Sequence, residues 1–138
     1  MTSVREAMVS DPRALQASSA TAQEAARLLA RPEVRAVLVV DGDQLVGYVN
    51  QALLVERVVA AGRDPRTTTL AEVAEPVRLT IGPDAPVEDA YRLMEAEDVE
   101  RLAVTDEGRL VGVLSRSALQ RRLAEDEPPA EEAEIVQP

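Results

Sequence analysis

Residues 38–50 read L-V-V-D-G-D-Q-L-V-G-Y-V-N, and residues 103–115 read A-V-T-D-E-G-R-L-V-G-V-L-S. Each is an apolar run, a turn of Asp and Gly, and a second apolar run, which is the pattern of a β-hairpin. Gly47 and Gly112 stand 65 residues apart, and the same spacing relates what surrounds them. Aligned at that spacing, residues 15–54 and 80–119 share eleven identities. Ala25/Ala90, Leu28/Leu93, Val39/Val104, Asp41/Asp106 and Leu54/Leu119 are among them, with the two Leu-Val-Gly strings. Most are apolar or turn positions, so the copies share a packing plan more than a surface.

Working outward, the same order of elements is predicted twice. A short helix spans about 3–8, and an extended piece lies near 14–17. Thr21-Ala22-Gln23-Glu24 is a capping box, with Thr21 and Glu24 each satisfying a free backbone N–H, and it opens a helix through Ala30. The hairpin strands follow at 36–40 and 45–49, and a helical period runs from Asn50 to Ala61 with Gly62 at its end. In the second half Thr69-Leu70-Ala71-Glu72 is another capping box, 78–81 is extended, and Asp84 and Pro86 mark a helix start. Val87, Ala90, Leu93 and Met94 form that helix's buried stripe. The second hairpin and a helix over about 115–124 complete the copy.

The expected organisation is therefore α/β (α+β), with two β-α-β-β-α repeats related by a pseudo-twofold axis and small mixed sheets packed together. Repeat one spans 1–62, a connector 63–69, repeat two 70–124, and an acidic tail 125–138. One copy alone is marginal in size for independent stability, and its strands are apolar on both faces, as in a sheet covered on both sides.

Composition narrows the function. Apolar residues make up 46% of the 138, with no Phe or Trp and only Tyr48 and Tyr91 as aromatics. Stacking bases on aromatic rings is therefore nearly unavailable. The net charge of −10 argues against nucleic acid and anionic membranes as partners. Six acidic residues and no Arg fall in the last fourteen positions, which read as a disordered, solubilising or partner-contacting tail. There is no Cys and no His, so a disulfide framework, a thiolate metal site and a histidine base are all excluded. The opening M-T-S-V-R-E-A-M has no apolar signal-peptide core, and no apolar run approaches the roughly 20 residues of a membrane span. A cytoplasmic location is the expectation. No nucleophile–base pair, phosphate-binding Gly loop or metal cluster supports an enzyme.

The quoted strings resemble a tandem pair of CBS domains, the Bateman module, of the small bacterial kind made of little else. They are V-R-E-A-M-V-S-D-P at 4–12, the two helix–hairpin copies, and the connector V-V-A-A-G-R-D-P-R-T-T-T-L-A-E-V at 58–73. The resemblance covers residues 4–122. It implies a non-catalytic regulatory module that requires no cofactor, binds AMP, ADP, ATP or S-adenosylmethionine between its copies, signals to a partner protein, and forms a homodimer.

It also implies where a ligand sits. The family's nucleotide motif is a Gly, two apolar residues, Thr or Ser, two variable residues, and Asp. Here the strings are Gly47-Tyr48-Val49-Asn50-Gln51-Ala52-Leu53 and Gly112-Val113-Leu114-Ser115-Arg116-Ser117-Ala118. Ser115 keeps the hydroxyl and Asn50 offers an amide, whereas Leu53 and Ala118 replace the Asp that would grip the ribose. Asn50 and Ser115 are equally good helix N-caps. Arg35 and Arg101 precede the central strands, where basic residues face the phosphate region in the family, and Val37 and Leu102 follow on those strands. Thr80 and Ile81 fall where the first strand lines the adenine pocket. Arg116 stands at a helix start, where the helix dipole disfavours a cation unless an anion is near. Tyr48 is placed either to stack on a base or to pack in the core. The second-copy site, with Ser115, Arg101 and Arg116, is the better candidate. A structural module that has lost its ligand is the alternative.

Overall fold

A computed structural model of the chain describes residues 2–125. The elements are α1 Val4–Ala7, β1 Val9–Ser10, β2 Ala14–Gln16, α2 Ala22–Leu29, β3 Val37–Asp41, β4 Gln44–Val49 and α3 Gln51–Leu54. After α3 comes a π-helical turn, Val55–Val59. Then follow α4 Leu70–Val73, β5 Thr80–Ile81, α5 Val87–Glu97, β6 Arg101–Asp106, β7 Arg109–Ser115 and α6 Arg116–Glu125. Beyond Glu125 the acidic run lies outside the described residues. Among the described residues no helix is long and apolar enough to cross a membrane.

Each copy forms the same three-stranded unit. The first strand lies parallel to the central one, with Ala14 opposite Leu38 in copy one and Thr80 opposite Ala103 in copy two. The central strand then pairs antiparallel with the third. Two-residue turns close both hairpins. Glu107 and Gly108 have φ of 52° and 83°, the pair of positive values that a type I′ turn needs and that matches strand twist.

The two units meet edge to edge in the order β2-β3-β4-β7-β6-β5. Their direct strand pairing is confined to the hairpin ends. Gln44 sits opposite Arg109, Leu45 N donates to Gly108 O at 3.0 Å, and Leu110 N donates to Asp43 O at 2.9 Å. Past the tips each third strand is edged by a crossing segment. β1 lies antiparallel on β7, Val9 opposite Val113 and Ser10 opposite Gly112. Tyr48 of β4 exchanges both backbone hydrogen bonds with Glu75, at 2.8 and 2.9 Å.

Those crossing segments explain the repeated glycines. A Cβ on Gly47 would lie 2.7 Å from the carbonyl oxygen of Glu75, and one on Gly112 would lie 3.0 Å from that of Val9. Each Leu-Val-Gly string therefore marks the place where a backbone of the other copy crosses its hairpin.

The helices leading into the crossings exchange places. Val4 of α1 is fully buried in the core built by Val87, Ala90, Met94, Leu102 and Leu114. Leu70 and Val73 of α4 are fully buried in the core of Ala25, Leu29, Val39 and Val49. The isolated bridges Ser3–Pro86 and Thr21–Thr69 repeat one another across the pseudo-twofold. Both short helices start on a capping box, Ser3 with Glu6 and Thr69 with Glu72. The Thr69 backbone N–H and hydroxyl, with Arg63 nearby, hold the Glu72 carboxyl below its usual value.

One local expectation is corrected. The helix predicted over 50–61 is α-helical only to Leu54. Ala60 N then donates to Val55 O and Arg63 N to Val58 O, both five residues back, so the turn widens. Within the extended segment expected at 78–81, strand pairing is found only at Thr80 and Ile81, where the parallel ladder with β6 begins at Ala103.

Candidate functional site

Because the sheets of the two units pair with each other only at their hairpin tips, a cleft of about 890 Å³ lies between them. Val37, Leu38 and Tyr48 line it from copy one, and Ala103, Val113 and Ser115 from copy two. The segment Glu75–Leu79 also lines it, which is what those residues do in place of extending β5. A mostly apolar hollow of this size with a few polar groups is the ordinary form of a small-molecule site.

Four arginines border the cleft: Arg13 before β2, Arg35 before β3, Arg78 before β5, and Arg101 at the head of β6. None makes a side-chain hydrogen bond or ion pair with the described residues, while Arg5, Arg57, Arg63, Arg66, Arg92, Arg109 and Arg116 each have a carboxylate. Two carboxylates line the same space, Glu33 and Glu75. Glu75 is already held by Arg57, whose guanidinium also donates to the carbonyls of Val73 at 3.2 Å and Ala74 at 3.3 Å. This clamp fixes the crossing segment against Tyr48.

The structure sorts the candidate residues. Arg35, Val37, Arg101 and Ser115 line the cleft together. Ser115 ends β7, and its Oγ accepts from Ala118 N at 3.1 Å, capping α6, and lies 3.4 Å from the Ser117 hydroxyl. Asn50 also caps its helix, accepting from Leu53 N at 2.8 Å. It faces a separate hollow of about 450 Å³ with Pro32, Val34, Arg35, Gln51 and Ala52. Leu102 is in the core of copy two and not in the cleft. The strand pleat forces this, since Arg101 and Ala103 point one way and Leu102 the other. Thr80 is exposed and Ile81 packs on the same core, so neither lines the cleft. Arg116 is turned away and largely buried, with Nη1 3.2 Å from Asp98 and 3.8 Å from Glu100. Its place at a helix start is explained by these carboxylates at the end of α5.

Arg13 and Arg78 escaped the sequence reading. They stand 65 residues apart, the spacing of the repeat itself. That coincidence, carried two residues upstream of the aligned region, would have found them.

The CBS domain model matches residues 4–60 and 70–125, which are the two copies seen in the fold. The chain belongs to the CBS domain family. This CBS pair is 32% identical over 115 residues to the CBS domain-containing protein YhcV of Bacillus subtilis, covering 83% of this chain and 81% of that one. Hypoxic Response Protein I, solved with two coordinated zinc ions, superposes with a TM-score of 0.73 at 27% identity, over 88% of this chain and 99% of that one. CBSX2, solved in complex with AMP, superposes with a TM-score of 0.72 at 23% identity, over 91% and 98% of the two chains, and so shares the fold. Zinc's usual nitrogen and sulfur ligands are missing here, since the CBS pair has neither His nor Cys. Among the described residues no three carboxylates gather either.

Proposed function

We propose that this CBS pair is a regulatory, non-catalytic module that takes an adenosine-containing ligand into the cleft between its copies and passes the occupied state to a partner protein. The observation that carries the reading is the cleft itself: apolar walls from both copies, four arginines without carboxylate partners among the described residues, and Ser115 at its edge. Of the two positions expected from sequence, the second-copy one is favoured, because Ser115 borders the cleft and Asn50 does not. A ligand touching both walls would bear on the angle between two sheets whose strands meet through Gln44, Leu45, Arg109 and Leu110. That gives ligand binding a way to change the outer surface. The AMP complex of CBSX2 supports this ligand class for the shared fold.

Thermal unfolding with AMP, ADP, ATP and S-adenosylmethionine near 1 mM tests the reading. A ligand at 100 times its Kd adds about 2.7 kcal/mol, which for a chain of this size raises the melting temperature by about 8–10 °C. No rise from any of the four would overturn it. That result would favour a second reading, a structural or protein-interaction module, to which the replacement of both motif acids by Leu53 and Ala118 already points.

Pairing with a second copy is part of the proposal. Val55 and Val59, 59% and 74% exposed on the π-helical turn, are part of the apolar surface available to it, with Val9 and Val46 exposed elsewhere. Light scattering that gives 14.9 kDa at high micromolar concentration would remove that part.

A further inference from the structure

We propose that the cleft selects its occupant by phosphate charge, taking a nucleoside di- or triphosphate in preference to AMP or S-adenosylmethionine, with Arg13 and Arg78 as the residues that set the preference. The inference rests on the reading of the cleft as an adenosine-ligand site and names the ligand class within it.

Among the described residues the arginines of the cleft are unpaired although carboxylates are abundant. The chain has 25 acidic residues against 15 basic ones, and every basic residue is arginine. Seven arginines hold a carboxylate among the described residues, while Arg27, Arg31, Arg121 and Arg122 hold none elsewhere on the chain; the cleft is distinguished by gathering four such arginines around one space.

Their placement sets like charges side by side. Thr80 pairs with Ala103, and Arg78 and Arg101 each lie two residues upstream of that pair, on neighbouring parallel chains. Arg13 lies one residue before Ala14, whose partner Leu38 follows Arg35 by three residues on the neighbouring strand. Like charges on adjacent strands repel. An anion between them turns that repulsion into charge-assisted hydrogen bonds, and the planar guanidinium suits phosphate oxygens in particular.

The balance of charge decides the class of anion. Four arginines face Glu33 alone, because Glu75 is already neutralised by Arg57, and about three positive charges remain uncompensated. The single phosphoryl group of AMP leaves part of that excess in place. The sulfonium and ammonium groups of S-adenosylmethionine add to it. A diphosphate carries about three negative charges and matches it, and a triphosphate carries about one more. The missing motif acid shifts the balance the same way: with Leu53 and Ala118 where a carboxylate would hold the ribose, recognition falls on the phosphates.

Calorimetric titration of the full chain at fixed ionic strength with AMP, ADP, ATP, S-adenosylmethionine and inorganic triphosphate tests this. ADP or ATP is expected to bind at least about tenfold tighter than AMP, one added charge-assisted contact being worth about that factor. Inorganic triphosphate is expected to displace the nucleotide. Arg13→Gln and Arg78→Gln should each lower ATP affinity about tenfold and AMP affinity by less, while Arg121→Gln, outside the cleft, changes neither beyond about twofold. Arg13 and Arg78 are exposed, so both variants are expected to fold with unchanged melting temperature. AMP or S-adenosylmethionine binding as tightly as ATP, or equal losses for AMP and ATP in the two variants, would overturn charge selection and leave the adenosine reading standing. Triphosphate binding without any adenosine compound would overturn the adenosine reading and leave charge selection standing. No binding by any probe would overturn both.

Discussion

Gly47→Val is expected to lower the melting temperature by about 9–12 °C. A Cβ at this position would meet the carbonyl oxygen of Glu75 at 2.7 Å and the Cβ of Ala74 at 3.1 Å. Neither can step aside cheaply. Glu75 is bound to Tyr48 by two backbone hydrogen bonds, and Arg57 grips the carbonyls of Val73 and Ala74. Overpacking of this kind costs about 3 kcal/mol, and a chain of this size loses about 3–4 °C per kcal/mol. Gly112→Ala is the comparison. There the nearest atoms are the end of the Met8 side chain, which can swing, with the Val9 carbonyl at 3.0 Å, so a loss of about 1 kcal/mol is expected. Scanning calorimetry on the two variants checks the pair. Equal, small losses would mean that the crossing backbone at 74–75 is not seated as described.

Leu70→Ala is expected to cost about 3–4 kcal/mol, the cost of emptying a fully buried leucine site. Leu70 belongs to the helix that leads into copy two, yet it packs with Ala25, Leu29 and Val39 of copy one. Val4→Ala, its counterpart in the core of copy two, removes fewer atoms and is expected to cost about 2 kcal/mol. Urea unfolding followed by circular dichroism should show a lower midpoint with unchanged slope in both variants. A loss under about 1 kcal/mol for Leu70→Ala would show that α4 does not complete the first core.

The hairpins were legible in the sequence because their cues are local. Asp-Gly turns between apolar runs name a hairpin, and capping boxes name helix starts. Repetition at 65 residues then supplied the pseudo-symmetry. The exchange of α1 and α4 was not legible, since the apolar faces of Val4 and Leu70 say that they are buried and not against which copy. The π-helical turn was hidden for a related reason, because a change from fourth- to fifth-neighbour hydrogen bonding leaves the side-chain pattern almost intact.

The cleft was legible in part. Ser115 was placed by the motif, and Arg35 and Arg101 by their positions before the central strands, and the structure puts all three around the same space. Leu102 followed Arg101 into the expected site although strand alternation sends it to the core. Arg116 was expected at a phosphate, and its actual partners, Asp98 and Glu100, lie at the end of another helix that no spacing rule connects to it. Arg13 and Arg78 stand in irregular chain before the strands, where a motif centred on the hairpin does not look.

The most direct measurement is a crystal structure of the full chain grown with the nucleotide that raises its melting temperature most. Ligand density in the cleft is the expected result, with the purine against Val37, Leu38 and Ala103, the phosphates on the arginines, and the Ser115 hydroxyl in contact. Nucleotide bound elsewhere on the molecule, or a cleft without nucleotide at saturating concentration, would contradict it.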